Sequence, residues 1–135
     1  MTIIKLRNRE IPLLYTTLEM KTIQEEVCLM TDFLQLLFGK KSDGESVYSE
    51  PEHLDAIAKC IRILGNAGLQ ESGQEPDLTD RDILRSMKPG RLNEYINTCL
   101  KEMNIGMESE IPPAEEDGPV DVTLEKIQKK KEKAD

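Results

Sequence analysis

The sequence predicts a mainly α-helical domain that begins with a β-hairpin and ends in a charged tail. Two short β-forming segments surround a bend at the N-terminal end. Apolar residues then recur at helical spacing in about four stretches, most of which begin at a capping residue. Beyond residue 106 the chain is acidic and then rich in lysine. We therefore divide the 135 residues into a hairpin plus helical domain, 1–106, whose helices pack as a small bundle, and a tail, 107–135.

The hairpin is predicted from two short apolar-rich segments, residues 3–7 and 11–15. Residues of high β propensity lie on both sides of Asn8, a residue type that is common in tight turns. Pro12 has no main-chain N–H to donate to a strand ladder. The second strand is therefore expected to lie at a sheet edge or to begin after this proline.

The first helix is predicted to begin at Thr16 or Thr17 and to end near Phe38, just before Gly39. Thr16 and Glu19 have the spacing of a capping box, in which each side chain accepts a free main-chain N–H of the other residue. Apolar residues then keep helical spacing as far as Phe38. A polar loop follows and separates this helix from the next one.

Two shorter helices are predicted in the middle of the chain. The second helix has Ser49 as its cap and Pro51 in its first turn, and Gly65 and Gly68 are expected to end or loosen it. The third helix begins at the capping residue Thr79 and ends near Met87. The second helix carries a stripe of apolar residues that is expected to be buried.

The fourth helix is predicted over residues 90–104, with Gly106 beyond its end. After it, residues 107–118 contain five acidic side chains and no basic one, and residues 126–133 contain five lysines. A segment of this composition buries too little apolar surface to offset the entropy of ordering. We therefore expect a flexible tail.

The composition argues against several functional classes. Eighteen basic residues against 26 acidic ones give a formal net charge of −8, which disfavours a nucleic-acid partner because such binding depends on cationic contacts with phosphate. No run of about 18 apolar residues occurs, so no membrane-spanning segment is expected. One histidine and three scattered cysteines leave little material for catalysis. We expect no enzyme activity, no metal site and no cofactor.

The cysteines and the histidine are interpreted as structural. Cys28, Cys60 and Cys99 lie inside predicted helices, 32 and 39 residues apart, whereas zinc-binding cysteine pairs lie about two to five residues apart. Three small buried thiols of a protein from a reducing cytoplasm are expected, and a metal or redox role together with His53 is the alternative. His53 lies in the first turn of the second helix, where a solvated side chain is expected.

The candidate binding site is the apolar surface of the first helix between Leu29 and Phe38. Seven of these ten residues are apolar, and they cover an arc of roughly 200°, wider than the stripe of about 100° that packing on one side requires. One interpretation is a central helix that is covered on two sides. The other leaves part of the arc free to bind an apolar segment of another protein. The candidate binding residues are Leu29, Met30, Phe33, Leu34, Leu36, Leu37 and Phe38.

The third and fourth helices, 79–87 and 90–104, also have the arrangement of a helix-turn-helix. A DNA reader needs side chains on its second helix that contact bases and phosphates. Four residues of suitable type occur there together with two acidic ones: Arg91, Asn93, Asn97 and Lys101, with Glu94 and Glu102. The acidic chain favours a plain pair of helices over a DNA-binding unit.

Several short segments carry a resemblance to a known family. They are Ile-Pro-Leu at 11–13, Thr-Thr-Leu-Glu-Met at 16–20, Gln-Glu-Glu at 24–26, Glu-His-Leu-Asp-Ala-Ile-Ala-Lys at 52–59, Ile-Leu-Gly-Asn-Ala-Gly-Leu at 63–69, Glu-Pro-Asp-Leu-Thr-Asp at 75–80, Ser-Glu-Ile-Pro at 109–112 and Gly-Pro-Val-Asp-Val-Thr-Leu-Glu at 118–125. With these segments, which extend over nearly the whole chain, the sequence resembles the small tail assembly chaperones of long-tailed bacteriophages and prophages.

This resemblance implies a non-enzymatic role in the cytoplasm of the bacterial host. Such chaperones cover the long apolar helices of the tape measure protein before the tail tube polymerises around it, and they help to recruit tail tube proteins. A longer form is commonly made by ribosomal frameshifting near the end of the short reading frame, and the three lysines at 129–131 fit an adenine-rich slippery site. The expected partners are the tape measure protein and the tail tube protein, without nucleic acid or membrane, and a homo-oligomer is left open.

Two other functions are alternatives. One is a tail completion or connector protein that remains in the virion. The other is a DNA-binding regulator built on the helix-turn-helix arrangement described above.

Overall fold

A two-stranded antiparallel sheet forms the N-terminal part of the computed structural model, which describes residues 1–7 and 9–108. Strand β1, Thr2–Leu6, pairs with strand β2, Arg9–Leu13, in a register that runs from Thr2 opposite Leu13 to Leu6 opposite Arg9. Alternate residues of β1 are buried, so one face of the sheet packs on the domain and the other faces solvent. The predicted hairpin is confirmed, and its bend at Asn8 lies outside the described residues.

Helices make up 61% of the described residues, which confirms the prediction of a mainly α-helical domain. The described residues contain five α-helices and one short 3-10 helix, where about four helices were expected. They are α1, Thr17–Glu26; α2, Met30–Leu37; α3, Pro51–Glu71; α4, Asp80–Ser86; the 3-10 helix, Pro89–Arg91; and α5, Leu92–Met107.

The predicted first helix is two helices in the structure, so its predicted continuous course to Phe38 is wrong. The main chain leaves the helical region at Val27 (φ −122°, ψ −77°) and is extended at Leu29 (φ −58°, ψ 150°). The side-chain oxygen of Gln24 accepts the Met30 N–H at 3.0 Å and so replaces a hydrogen bond that a new helix start lacks. The break contains no glycine or proline that would have marked it in the sequence.

Two of the predicted helix caps are confirmed. Thr16 and Glu19 form the capping box, with the Thr16 N–H donating to a Glu19 carboxylate oxygen at 2.8 Å. At α4, the hydroxyl oxygen of Thr79 accepts the Asp82 N–H at 3.1 Å. These bonds satisfy main-chain donors that the first turn of a helix leaves free.

The start of α3 differs in part from the prediction. Pro51 lies in the first turn, as expected, but Glu50 and not Ser49 is the N-terminal cap. Ser49 has a φ of 67°, a left-handed conformation that is uncommon for residues other than glycine. Its N–H donates to the ring of His53 instead of opening the helix.

α3 continues through Gly65 and Gly68 to Glu71, so of the two predicted effects of these glycines, ending or loosening the helix, the first is wrong. A Cβ atom on Gly68 would lie 2.0 Å from the carbonyl oxygen of Pro12, and one on Gly65 would lie 2.6 Å from Cδ1 of Leu78. The two glycines therefore let the helix approach β2 and the segment before α4 closely.

α5 continues through Gly106 and ends at Met107, so the predicted end before Gly106 is also wrong. A Cβ atom on Gly106 would lie 2.3 Å from the carbonyl oxygen of Tyr15. This glycine therefore serves a close contact between the last turn of α5 and the chain that follows β2.

The core is built around α3, which packs against β2, α1, α2, α4 and α5. Each fully buried leucine, isoleucine or phenylalanine contributes about 1.5–3 kcal/mol by leaving water. The large side chains that are almost wholly inaccessible are Ile4, Ile11, Leu13, Ile23, Phe33, Leu37, Ile57, Ile61, Leu64, Leu69, Ile83 and Ile96.

The predicted tail lies almost wholly outside the described residues. Of residues 107–135 the structure describes only Met107, which ends α5, and Glu108, which follows it. The predicted boundary between a domain and a tail therefore stays a prediction.

Asp80 joins α4 to α3 through a small group of ion pairs. One carboxylate oxygen lies 2.6 Å from Nζ of Lys59, the other accepts a hydrogen bond from Arg62, and Arg62 also pairs with Glu26 of α1. Burial by itself raises the pKa of Asp80, but the hydrogen bonds and charges of Lys59 and Arg62 outweigh it and hold this pKa below its ordinary value of 3.8. The folded state therefore favours the charged carboxylate.

We predict that Asp80→Asn lowers the free energy of unfolding by about 1 kcal/mol near pH 7 and has a smaller effect in acid. The pKa of Asp80 is lower in the folded state than in the unfolded state. Its contribution is therefore complete above the ordinary carboxyl pKa and is lost as the pH falls through the folded value. Urea denaturation at several pH values measures this. Asp55→Asn, at an exposed site on α3, is the control. An equal loss for Asp80→Asn at neutral and strongly acidic pH would contradict the ion-pair account.

We predict that Gly68→Ala destabilises the fold by about 3 kcal/mol or more, because α3 must move away from β2 to admit the new methyl group. The matched control is Gly90→Ala, since a Cβ atom there meets no other atom within 4 Å. Thermal denaturation of both variants gives the comparison. Similar melting temperatures for the two would show that the close contact at Gly68 is unimportant.

Candidate functional site

The structure divides the seven predicted binding residues between the core and the surface. Phe33 and Leu37 are fully buried in the core, so they offer no surface to a partner in this conformation. Leu29 and Phe38, at the two ends of α2, are 65% and 54% exposed. The remaining three are partly buried and pack against the core: Met30, Leu34 and Leu36. The apolar arc therefore contributes Phe33 and Leu37 to the core, whereas Leu29 and Phe38 at its two ends lie on the surface.

Met30 and Leu34 line an apolar groove where α1, α2 and α5 meet. Its volume is about 130 Å³, and we call it the methionine groove because four of its lining residues are methionines. Methionine is unbranched and flexible, so such a lining can adjust to differently shaped apolar groups. The lining residues are Tyr15, Met20, Met30, Leu34, Leu100, Met103, Asn104 and Met107.

Tyr15 anchors one side of the methionine groove. Its carbonyl oxygen lies against Gly106, which lets the last turn of α5 approach, and its hydroxyl donates to Sδ of Met30 at 3.9 Å. Burial, followed by the nearby charges of Cys60 and Glu19, raises the pKa of the Tyr15 hydroxyl above its ordinary value. The hydroxyl therefore stays protonated at neutral pH and remains a donor.

The chemistry of the methionine groove is almost entirely apolar. The Tyr15 hydroxyl and the Asn104 amide are the polar side-chain groups of its lining, which contains no carboxylate, imidazole, thiol or cationic side chain. This arrangement can bury an apolar side chain and offer it one or two hydrogen bonds at the rim.

His53 is buried, so the prediction of a solvated histidine is wrong. Its Nδ1 accepts the Ser49 N–H at 2.9 Å, and its Nε2 donates to the carbonyl oxygen of Leu37 at 2.9 Å. The Tyr48 ring lies against it, with 4.9 Å between the ring centroids. His53 therefore links the last turn of α2 to the first turn of α3 and holds the loop between them.

The cysteines occupy two kinds of site. Cys60 and Cys99 are buried in the core, as predicted, whereas Cys28 is only partly buried. The neighbouring Cys99 thiol, followed by burial, raises the pKa of the Cys60 thiol well above its ordinary value, so this thiol stays protonated. Within residues 1–7 and 9–108 no cluster of three or more histidine, cysteine or acidic side chains has the geometry of a metal site.

The candidate helix-turn-helix is not a closely packed pair of helices. α4 packs mainly on α3, whereas α5 packs on β1 and α3. Arg91, one of the candidate DNA contacts, forms an ion pair with Glu94 at 3.1 Å. Glu102 is buried and accepts the Thr2 N–H at 3.0 Å, so it serves the contact between α5 and β1.

Comparisons of this chain with protein families, curated proteins and solved structures found no match. Within the described part of the chain, none of the helices is both long enough and apolar enough to span a bilayer.

The contributions of α1 and α5 to the methionine groove were not predicted from the sequence. Leu100, Met103 and Met107 are spaced three and four residues apart, which places them on one side of α5. That spacing is a usable signal, but the sequence does not say which helix this side faces. Only the fold brings it opposite Met30 and Leu34.

We predict that His53→Ala lowers the free energy of unfolding by about 2–3 kcal/mol, because it leaves the Ser49 N–H and the Leu37 carbonyl without their partner. Glu52→Ala, one residue away and exposed, is the control and should change stability by less than about 0.5 kcal/mol. Urea denaturation measures both. Equal stabilities of the two variants would contradict the linking role of His53.

Proposed function

We propose that this chain is a binding protein without catalytic activity, and that its methionine groove holds an apolar side chain from a helix of another protein. The observation that carries the proposal is the groove itself, an apolar depression bounded by three helices and lined by flexible side chains. A partner helix can lie across such a groove and insert residues that are three or four positions apart.

The size of the methionine groove fits one side chain at a time. Its volume of about 130 Å³ is close to that of an engineered cavity of ~150 Å³ that binds benzene. Exposed Leu29, next to Met30 at the start of α2, adds apolar surface outside the groove. A single site of this kind binds weakly, and one long partner offers room for many copies of the chain.

The partner that we propose is the tape measure protein of a bacteriophage or prophage tail, which makes the chain a tail assembly chaperone acting in the bacterial host cytoplasm. The resemblance of the sequence to such chaperones supports this identity. Long apolar helical stripes aggregate unless they are covered, and a small domain with an apolar groove is suited to cover them. The net charge of −8 keeps the covered complex soluble by mutual repulsion.

The proposal includes release of the partner when the tail tube forms. Weak binding at each site allows tail tube proteins to displace the chaperone copies one after another. A longer form made by frameshifting at the lysine run would supply an additional segment that recruits the tube protein.

We predict that Leu34→Glu weakens binding to the tape measure protein at least about tenfold, because it places a charge in the methionine groove. Leu34 is partly exposed and lines the groove, whereas the adjacent Gln35 is exposed and lies outside its lining. Gln35→Glu introduces the same charge one residue away and is the matched control. Co-purification and titration with the tape measure protein of the same tail gene cluster measure the binding.

Both variants must first show native circular dichroism and a cooperative thermal transition. Unchanged binding of folded Leu34→Glu would overturn the assignment of the groove. Recovery of the chain in stoichiometric amounts from finished virions would overturn the chaperone role, because a chaperone leaves before the particle is complete.

A further inference from the structure

The outer edge of β1 has main-chain groups that β2 does not use. Ile3 lies opposite Pro12, and a proline has no N–H with which to form a bonded antiparallel pair. Bonded and non-bonded pairs alternate along such a ladder, so Lys5 is in a non-bonded pair as well. The N–H and C=O groups of Ile3 and Lys5 therefore point away from β2. The Arg7 N–H, next along this edge, donates to the carbonyl oxygen of Ser86 at 3.1 Å, which agrees with this direction.

This outer edge is open at Ile3 and Lys5. Within residues 1–7 and 9–108, no hydrogen bond reaches the outward N–H or C=O group of either residue. A strand edge with free donors and acceptors is a template for pairing with another chain. The edge is therefore a candidate binding site for an extended peptide, which would be held by main-chain hydrogen bonds.

A groove runs along the open edge between β1 and α5, and we call it the edge groove. One part has a volume of about 250 Å³ and lies between Ile3 and Thr98. A second part, of about 170 Å³, extends to Arg7. Lys5 and Tyr95 line both parts, so the two are continuous. α5 therefore lies beside the edge and leaves room along it.

Basic side chains line the end of the edge groove that lies near Arg7. The lining there contains Lys5, Arg7, Lys88 and Arg91 and no acidic side chain. Lys5 and Arg91 each form one exposed ion pair, and such pairs exchange readily with other acidic groups. Arg7 and Lys88 form no ion pair in the part of the chain that the structure describes. In a chain with a net charge of −8, this local positive charge favours an acidic ligand.

We propose that the edge groove binds an extended acidic peptide of another protein, which pairs with β1 as a third, antiparallel strand. Antiparallel pairing continues the arrangement of the hairpin and is more stable per residue than parallel pairing. Because β1 runs towards Arg7, an antiparallel peptide begins at the basic end of the groove. The acidic residues of the peptide therefore precede the segment that pairs with β1.

The register of this pairing follows from the free groups of β1. The peptide residues opposite Lys5 and Ile3 exchange main-chain hydrogen bonds with them, and the peptide residue between them lies opposite Ile4, on the buried face of the sheet. A lysine on a strand edge discourages pairing with basic strands, so Lys5 adds selectivity for an acidic one. The edge groove shares no lining residue with the methionine groove, so one partner at each site can bind at the same time.

A titration of the full chain with a synthetic peptide, followed by NMR of the main-chain amides, tests this proposal. The probe is a capped peptide, Glu-Glu-Thr-Val-Thr-Val, whose two threonines pair with Lys5 and Ile3. We expect saturable shifts of the Ile3 and Lys5 amide signals and exchange of these amides with water that is about tenfold slower at saturation. Methylation of both threonine main-chain nitrogens removes the donors that face β1 and should abolish binding. Methylation of the nitrogen of the first valine, which points away from β1, is the matched control and keeps binding.

A change of charge at the basic end adds a second measurement. Lys88→Glu should weaken binding of the same peptide at least about fivefold, because it places a negative charge beside the two glutamates. Lys101→Glu introduces the same charge at an exposed position of α5 outside the lining of the edge groove and is the matched control.

Absence of binding, or equal binding of the peptide and its threonine-methylated form, would overturn the proposal. Equal losses of affinity in Lys88→Glu and Lys101→Glu would also overturn it. Tighter binding of a short oligothymidylate at the same amides would assign the surface to nucleic acid, and concentration-dependent protection of Ile3 and Lys5 without peptide would assign the edge to a second copy of the chain. Either result would contradict the proposal, whereas binding that requires both the threonine N–H groups and Lys88 supports it.

Discussion

The close contact between α3 and β2 determines where the other elements lie. Because Gly68 has no side chain, the main chain of the helix approaches the main chain of the strand directly. The Leu14 N–H, at the end of β2, donates to the carbonyl oxygen of Leu64 at 3.0 Å. A contact between two main chains leaves little room for adjustment, so the hairpin has one position on the central helix.

The methionine groove follows from that contact through the chain itself. Tyr15 comes directly after Leu14, and its carbonyl oxygen receives the last turn of α5 at Gly106. The Tyr15 hydroxyl reaches Met30 at the start of α2. One tyrosine therefore spaces α2 and α5 apart, and the gap between them is the groove. The binding surface that we propose is in this sense a consequence of how the hairpin sits on α3.

The element types were predictable from the sequence because they depend on local patterns. The capping box at Thr16 and the cap at Thr79 involve residues two to three positions apart, and the structure confirms both. The helix ends were mispredicted at Gly65, Gly68 and Gly106 for a common reason. A glycine can end a helix or admit a close neighbour, and only the distant residue that it meets distinguishes these roles.

The candidate site was predictable only in part for the same reason. The wide apolar arc of residues 29–38 could be recognised in the sequence. Phe33 and Leu37 nevertheless lie in the core, because the helix breaks at Val27 and α2 turns towards α3. His53 was misassigned because its two partners, Ser49 and Leu37, are main-chain groups that leave no mark in a sequence. Long-range geometry decided each of these cases.

The most direct measurement of the central claim is an NMR titration of the methionine methyl groups with a helical fragment of the tape measure protein. The chain has six methionines, of which Met20, Met30, Met103 and Met107 line the groove and Met1 and Met87 do not. We expect saturable shifts of the four groove signals and unchanged signals from the other two. Saturable binding that leaves the four groove signals unshifted would contradict the account.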